Sequence, residues 1–457
     1  MNNYLPSILS LLVAPALLPL LAGCGTGTPV PQETFAQPDL NETSSSPSTA
    51  EPAPAVKGPQ YRLQIDPDIP TMGNLEMILA EPLDEATEVM IRRPRGIVGV
   101  VDPRCEDLEE PLEGGDGSWI APKGCSVIAW ETPFAEVAEP WATLSHQRNL
   151  YYPGRWWLFT ERDSLFRLAG DPQNSGADPG SLCANFAGEE SCQAVPKPGD
   201  PPVMMALGTP DHVVTIGETT LRFFAGHLPP DFALEDQVAR WVERFPYFYD
   251  LALATQPCAA LPDELDIVLL GIDTTGGNVG GAAGQAAVLA NMPISDHPLS
   301  DREAIFLDWL VAHELAHTLR IETGPVWAGE SLAQYYGYKW LEPSEAVDQL
   351  FEQVSVDDPE MGLLEAFRLV TEEEQFEHYE LFYSQGAAFW RAVDDLIQSA
   401  SEGEESLDDF LPLLHQHPFE ADGQLPPEFL DAVGDLAGQP RLEEILDFYL
   451  IGPTERE

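Results

Sequence analysis

Arg302 to Ile321 (REAIFLDWLVAHELAHTLRI) contains no Gly or Pro and is rich in helix formers. Its apolar residues fit a helix buried on most of its sides. Set inside this run is His313-Glu314-Leu315-Ala316-His317. On a helix, residues four apart share one face, so the two imidazoles converge, with Glu314 beside them. Burying two histidines and a carboxyl in so apolar a segment is costly without compensation. One Zn²⁺ supplies it, with the histidines as ligands and the Glu beside the water that a catalytic zinc carries. The plainer reading, a buried helix with two incidental histidines, leaves that cost unanswered.

A catalytic zinc takes three protein ligands and keeps one position open. Arg320 and Thr323 stand where an extended HExxHxxGxxH pattern needs Gly and His, so that extension fails. Glu322 follows His313 by nine residues, which on a continuing helix is the opposite face at about 100° per residue. Glu330 is better placed. It lies in Trp327-Ala328-Gly329-Glu330-Ser331-Leu332-Ala333-Gln334-Tyr335-Tyr336, after a turn at Gly324-Pro325. Antiparallel packing of the two helices brings it beside the histidine pair. A solvated helix-start carboxylate, favoured by the helix dipole, is the alternative. The neighbours Trp327, Leu332 and Ala333 argue for burial instead.

The N-terminus gives an address. Leu5 to Leu20 is apolar but short and interrupted by Pro, and it ends in Leu21-Ala22-Gly23-Cys24, which resembles the bacterial lipobox. That resemblance implies cleavage before Cys24 and lipidation of Cys24, on a chain held in the cell envelope at the outer membrane or cell surface. Met1 to Tyr4 lacks the usual Lys or Arg. In an oxidising compartment Cys105 with Cys125 and Cys183 with Cys192 are plausible local disulfides, leaving Cys258 as a free thiol. No close CxxC pair suggests a zinc ribbon.

Acidic residues number 76 against 22 basic ones, a formal net charge of −54. Such a surface excludes nucleic acid and anionic lipid headgroups as partners and suits high external salt, which screens self-repulsion. The chain reads as α+β. Residues 1–23 form a signal peptide and 24–58 a disordered tether rich in Thr, Pro, Ser, Glu and Ala. Residues 59–228 carry short strand-like runs (Tyr61–Ile65, Leu75–Leu79, Glu88–Ile91, Ser126–Trp130, Thr220–Phe224) and suggest a β-rich, sandwich-like domain. Residues 229–345 form the zinc-site domain: a helix from Leu234 with a kink expected at Pro246, strands at Leu265–Leu270 and Ala286–Ala290 around a Gly-rich turn, then the HELAH helix. Residues 346–457 read as helical.

Here a family resemblance enters. HELAH followed by WAGESLAQYY resembles the gluzincins, the thermolysin-like zinc metallopeptidases with HExxH and a downstream Glu. Phe382-Tyr383-Ser384-Gln385-Gly386 is similar to the Y-x-K-G segment of the membrane alanyl and the glycyl aminopeptidases. The resemblance implies a thermolysin-like catalytic domain and one Zn²⁺ held by His313, His317 and Glu330. It implies Glu314 as general base, Tyr383 as oxyanion donor, and a peptide or protein as substrate. Ser331 stands where the family has Gly, and Gln385 where it has Lys. The segment Gly280 to Gln285, which matches the family's G-x-M-E-N loop, has no Glu to hold a substrate's free amine. Aminopeptidase and endopeptidase action therefore both stay open. So does a non-catalytic surface lipoprotein that keeps the peptidase fold as a binding module.

Overall fold

The computed structural model describes residues 58–91, 99–137, 148–162, 164–169, 180–197, 200–229, 232–256, 261–272, 280–294, 299–341 and 361–452. The expected signal peptide, Cys24, the expected tether up to residue 57 and Cys258 lie outside the described residues. Among the described residues no helix is long and apolar enough to cross a membrane.

The architecture is mixed α and β, with strands dominating before residue 227 and helices after residue 300. Three sheets build the N-terminal part. A seven-stranded sheet runs in the order Glu189–Ala194, Ser181–Phe186, Gln60–Ile65, Met72–Ile78, Val127–Pro133, Val101–Cys105, Glu110–Pro111. Two four-stranded sheets pack with it, one containing Thr87–Ile91 and Ser118–Ala121, the other Leu150–Tyr152, Trp156–Thr160 and Met204–Gly208. Alternation drives this: Tyr61, Leu63 and Ile65 are buried while Gln60, Arg62 and Gln64 are exposed. The inward residues meet in one core holding Trp130, Trp157, Phe159 and Phe166. Cys105 is bonded to Cys125, and Cys183 to Cys192 across the hairpin in which they face each other.

A five-stranded sheet carries the histidine helix. Its order is His212–Ile216, Thr219–Gly226, Glu264–Ile272, Ala287–Pro293, Gly281–Ala283. Grouped by sequence with the β-rich region ending at 228, the first two strands belong by pairing to this sheet instead. Thr219–Gly226 runs parallel to Glu264–Ile272. The crossover between them is α1 (Leu234–Thr255), which continues through Pro246. The central strand shows why the sheet is buried on both sides. Leu265, Ile267 and Leu269 face the helices, while Val268, Leu270 and Ile272 face a cluster with Trp156, Leu158 and Met204. A continuous apolar run is what such a two-sided strand requires. Gly281–Ala283 is an edge strand, antiparallel to Ala287–Pro293.

The helices stack on the other face of this sheet. They are α2 (Asp301–Thr318), α3 (Val326–Trp340), α4 (Leu363–Glu372), α5 (Glu380–Ala400), α6 (Leu407–Gln416), α7 (Pro427–Ala437) and α8 (Gln439–Leu446). α3 packs between α2 and α5. A polar knot fixes the far end of that packing. Asp394 on α5 accepts from Tyr335, from Leu407 N at 2.6 Å and from Lys339 Nζ at 3.3 Å. Asp408 on α6 accepts from Lys339 Nζ at 2.7 Å, Tyr336 at 3.0 Å and Tyr247 of α1 at 2.9 Å. Burial alone would raise the Asp394 carboxyl. Lys339 and the neighbouring donors outweigh burial and hold it below its ordinary value.

At the near end α3 and α5 touch backbone to backbone. A Cβ on Gly386 would sit 2.3 Å from Ser331 Cβ. Ser331 Oγ accepts from Trp390 Nε1 at 2.7 Å and donates to Ala328 O at 3.1 Å. Gln385 is buried and donates to Met361 O and Tyr449 O. The two positions that depart from the family's pattern are thus engaged in helix packing. Gly386→Ala is expected to cost about 1–3 kcal/mol by overpacking. In a double-mutant cycle with Ser331→Gly, thermal unfolding should give a loss smaller than the sum of the single losses.

Candidate metal centre

α2 starts at a capping box. Ser300 Oγ accepts from Glu303 N at 3.3 Å, and the Glu303 carboxylate accepts from Ser300 N–H at 2.8 Å. His313, Glu314 and His317 fall in its last two turns. The helix ends at Thr318, earlier than the apolar run suggested. Arg320 adopts φ +53°, the left-handed region that bulky residues rarely occupy. The reversal is held from outside by three contacts. Gln256 donates to Arg320 O at 2.5 Å, His415 Nε2 donates to Ile321 O at 3.0 Å, and the Arg320 guanidinium pairs with Asp200 at 3.1 Å. Gly324, at φ +94°, then leads into Pro325 and α3. This reversal corrects the reading of Glu322. Off the helix axis, its carboxylate folds back to accept from His317 Nδ1 at 3.1 Å.

When neutral with its proton on Nδ1, the His317 ring turns the lone pair of Nε2 inward. That nitrogen lies 3.3 Å from His313 Nε2 and 3.5 Å from Glu330 Oε2, and His313 Nε2 lies 3.7 Å from the same oxygen. Donor pairs around a tetrahedral zinc with bonds of about 2.0–2.2 Å are about 3.3–3.6 Å apart. The triangle fits a zinc ion in both size and donor type. Facing lone pairs beside a carboxylate repel one another unless a cation or a proton lies between them. Two other clusters of this kind, Cys105 with Asp107 and Cys125, and Cys183 with Glu190 and Cys192, have their sulfurs joined in disulfides. Among the described residues only His313, His317 and Glu330 form such a cluster with all donors free.

The electrostatics point the same way. Burial opposes charge on His317, but Glu322 and Glu330 outweigh it and raise the ring well above its ordinary pKa. Burial would raise Glu330 too, yet the two imidazoles hold it well below the usual range. Burial dominates at His313 and lowers it. His313 Nδ1 and Gln334 Oε1 are both buried with no partner at hydrogen-bond distance, although the Gln334 side chain is near enough to favour the protonated ring.

Glu314 is 7% exposed. Burial first, then the Glu330 charge, pushes its carboxyl up to about 8, against the opposing pull of His317. It lies directly under the edge strand: a Cβ on Gly281 would come within 2.5 Å of Glu314 Cγ and Oε1. Tyr383 stands on α5 with its ring 5.8 Å from that of His313. Burial raises its hydroxyl well above the ordinary value, and the charge on Glu330 adds to the shift, so Tyr383 is a proton-bearing donor. Tyr379 lies one turn earlier, and its OH donates to Glu330 Oε1 at 2.7 Å. Sequence reasoning set Glu322 aside as facing away, and missed Tyr379 and the need for Gly281. Of the last two, Tyr379 alone had a signal, its four-residue helical offset from Tyr383.

No family model and no curated protein matches this sequence. Solved structures do match in fold. A protein of the aminopeptidase N family from Idiomarina loihiensis superposes with a TM-score of 0.59 at 12% identity, over 87% of this chain and 76% of that one. Aminopeptidase A of Legionella pneumophila, solved with aspartic acid, gives a TM-score of 0.46 at 11% identity, over 87% of this chain and 49% of its own. The first likeness establishes an aminopeptidase N-like fold, mixed α and β with the helices toward the C-terminus.

Outer partners of metal-bound histidines typically contribute 10–100-fold to metal affinity. Glu322→Ala is therefore expected to weaken zinc binding by about that factor, read by competition with a chromophoric chelator. An unchanged dissociation constant would remove Glu322 from the centre.

Proposed function

We propose that this chain is a zinc-dependent peptidase of the gluzincin type, lipid-anchored through Cys24 in a bacterial cell envelope and acting on peptides outside the cytoplasm. One observation carries the reading: His313, His317 and Glu330 offer three donors in a zinc-sized triangle, with the buried Glu314 next to it. The aminopeptidase N-like fold supports peptide as the substrate class. Lipidation rests on Leu21-Ala22-Gly23-Cys24 alone.

Zinc held by His313, His317 and Glu330 would polarise the scissile carbonyl and make water more acidic. Glu314 takes the proton from the attacking water as the new C–O bond forms. It then delivers that proton to the amine nitrogen as the C–N bond breaks. A carboxyl raised toward neutrality suits both halves of that transfer. Tyr383 donates its hydroxyl hydrogen to the carbonyl oxygen as negative charge develops there, an effect typically of a few kcal/mol. Gly281 lets the edge strand lie against Glu314, so the substrate main chain approaches from that side. The segment from Gly280 to Gln285 supplies no carboxylate for a free amine, which leaves the peptide's end unassigned.

The rival reading, a binding module on a peptidase fold, rests on the missing amine-holding Glu, which bears on substrate and not on water activation, and on Ser331 and Gln385. Both residues serve packing and touch none of the chemistry described above. The two readings separate on one substitution. Purified full-length protein is expected to bind one zinc and to hydrolyse a mixed peptide set, with activity lost to a chelator and restored by zinc. Glu314→Gln should keep the metal and lose turnover by a factor of about 10²–10⁴, the usual worth of a general base. Equal turnover by that variant would end the peptidase proposal. Separately, labelled fatty acid should enter the wild-type chain in a bacterial host and not Cys24→Ser; equal labelling would end the anchor proposal.

A further inference from the structure

Glu330 has two oxygens, and the structure gives them different work. Oε2 faces His313 Nε2 and His317 Nε2 at 3.7 and 3.5 Å. Oε1 accepts from Tyr379 OH at 2.7 Å. We propose that Tyr379 is a positioning residue that makes Glu330 a one-oxygen ligand and so keeps a coordination position free for the reaction. This deepens the zinc-peptidase reading and rests on it.

A carboxylate beside a metal has the choice of binding through one oxygen or both. If Glu330 bound through both, it would occupy the position that a catalytic zinc must leave open. Nothing in the Glu330 side chain decides between the two modes, because the torsion about its last bond is broad and a modest turn brings the second oxygen toward the metal. A short hydrogen bond from a phenol to a carboxylate is a strong one of its class. To bring Oε1 onto the metal, the carboxylate has to turn away from Tyr379 and give up that bond, worth about 1.5–3 kcal/mol for a bond to a charged group.

Tyr379 is built to hold still. It is 3% exposed and sits at the junction of a short 3₁₀ turn (Phe376–His378) with α5, in helical backbone geometry. Its N–H donates to Phe376 O at 3.1 Å, and its carbonyl accepts from Phe382 N at 3.1 Å. Its ring packs against Phe382 and Tyr383 at centroid distances of 5.1 and 5.7 Å. The two tyrosines on this segment then have separate tasks. Tyr379 keeps one oxygen of Glu330 off the metal, and Tyr383, beside His313 and Glu330, serves the developing oxyanion.

The test uses the full chain with Tyr379→Phe, which keeps the ring and removes only the hydroxyl. Zinc affinity is measured by chelator competition. Coordination is read from the visible absorption of the Co²⁺-substituted protein and from zinc X-ray absorption. The expected result is a protein that still binds one metal, about tenfold or more weakly, with weaker Co²⁺ absorption and one additional oxygen neighbour. In a Glu330→Gln background, which offers a single ligating oxygen, Tyr379→Phe should change the coordination little. Equal Co²⁺ spectra for wild type and Tyr379→Phe would overturn the proposal. If that variant does not fold, zinc X-ray absorption of the wild-type protein still decides: a carboxylate bound through both oxygens would overturn the proposal. Wild-type protein that takes up no metal would instead sink the zinc reading, and that outcome is visible before any variant is made.

Discussion

Three carboxyls and two imidazoles lie together inside the α2–α3–α5 helix core, and the helical half of the molecule is arranged around their desolvation. Glu314, Glu322, Glu330, His313 and His317 are each at most partly exposed, and burial is the largest single influence on all five. Taking isolated charges from water into such a core costs several kcal/mol each, which only opposite charge and hydrogen bonds offset. Without a metal, the raised pKa of His317 shows the cluster recruiting a proton as its cation. A divalent ion in the same place meets the same need more fully, because it faces two lone pairs and a carboxylate together.

Holding the donors that close demands precise helix placement, and the packing details follow from it. α3 must bring Glu330 to within 4 Å of both rings, so α3 and α5 approach until Gly386 meets Ser331 with no room for a Cβ. The knot of Asp394, Asp408 and Lys339 clamps the opposite end of α3, so that its position is set from both ends. The reversal at Arg320 turns Glu322 back onto His317. Its left-handed backbone costs of order 1–3 kcal/mol and persists because Gln256, His415 and Asp200 hold it from three other elements.

How much of this was legible in the sequence depended on whether a signal was local. The i, i+4 spacing of His313 and His317 is a property of one helix, and it places both imidazoles on one face whatever surrounds them. The alternation in Tyr61–Ile65 and the apolar run at Ile267–Leu270 are equally local, and they appear as one-sided and two-sided strands. Pairing is not local. The strands at 212–226 have the same look as those before them, and only the crossover through α1 assigns them to the sheet beneath α2. Glu322 was hidden for a related reason. Leu319 and Arg320 carry no Gly or Pro to announce that the helix stops, and the contacts that stop it come from residues 64 to 120 positions away.

The Gly-rich segment before Ala287 illustrates how one glycine answers to more than one demand. Gly281 is required by the protein itself, because any side chain there would run into Glu314. Gly284 is required by Met204, whose Cβ would lie 2.4 Å from an added Cβ, and so by the contact between this strand and the β-rich part. Neither glycine therefore speaks for a particular substrate. Their spacing does set the geometry available to one: an edge strand lies over Glu314, with its outer side unpaired among the described residues. An extended peptide can add to such an edge through main-chain hydrogen bonds whatever its side chains are. Recognition of a peptide's main chain and recognition of its free amine are separable on this architecture: the segment from Gly280 to Gln285 offers a strand edge and no carboxylate of its own.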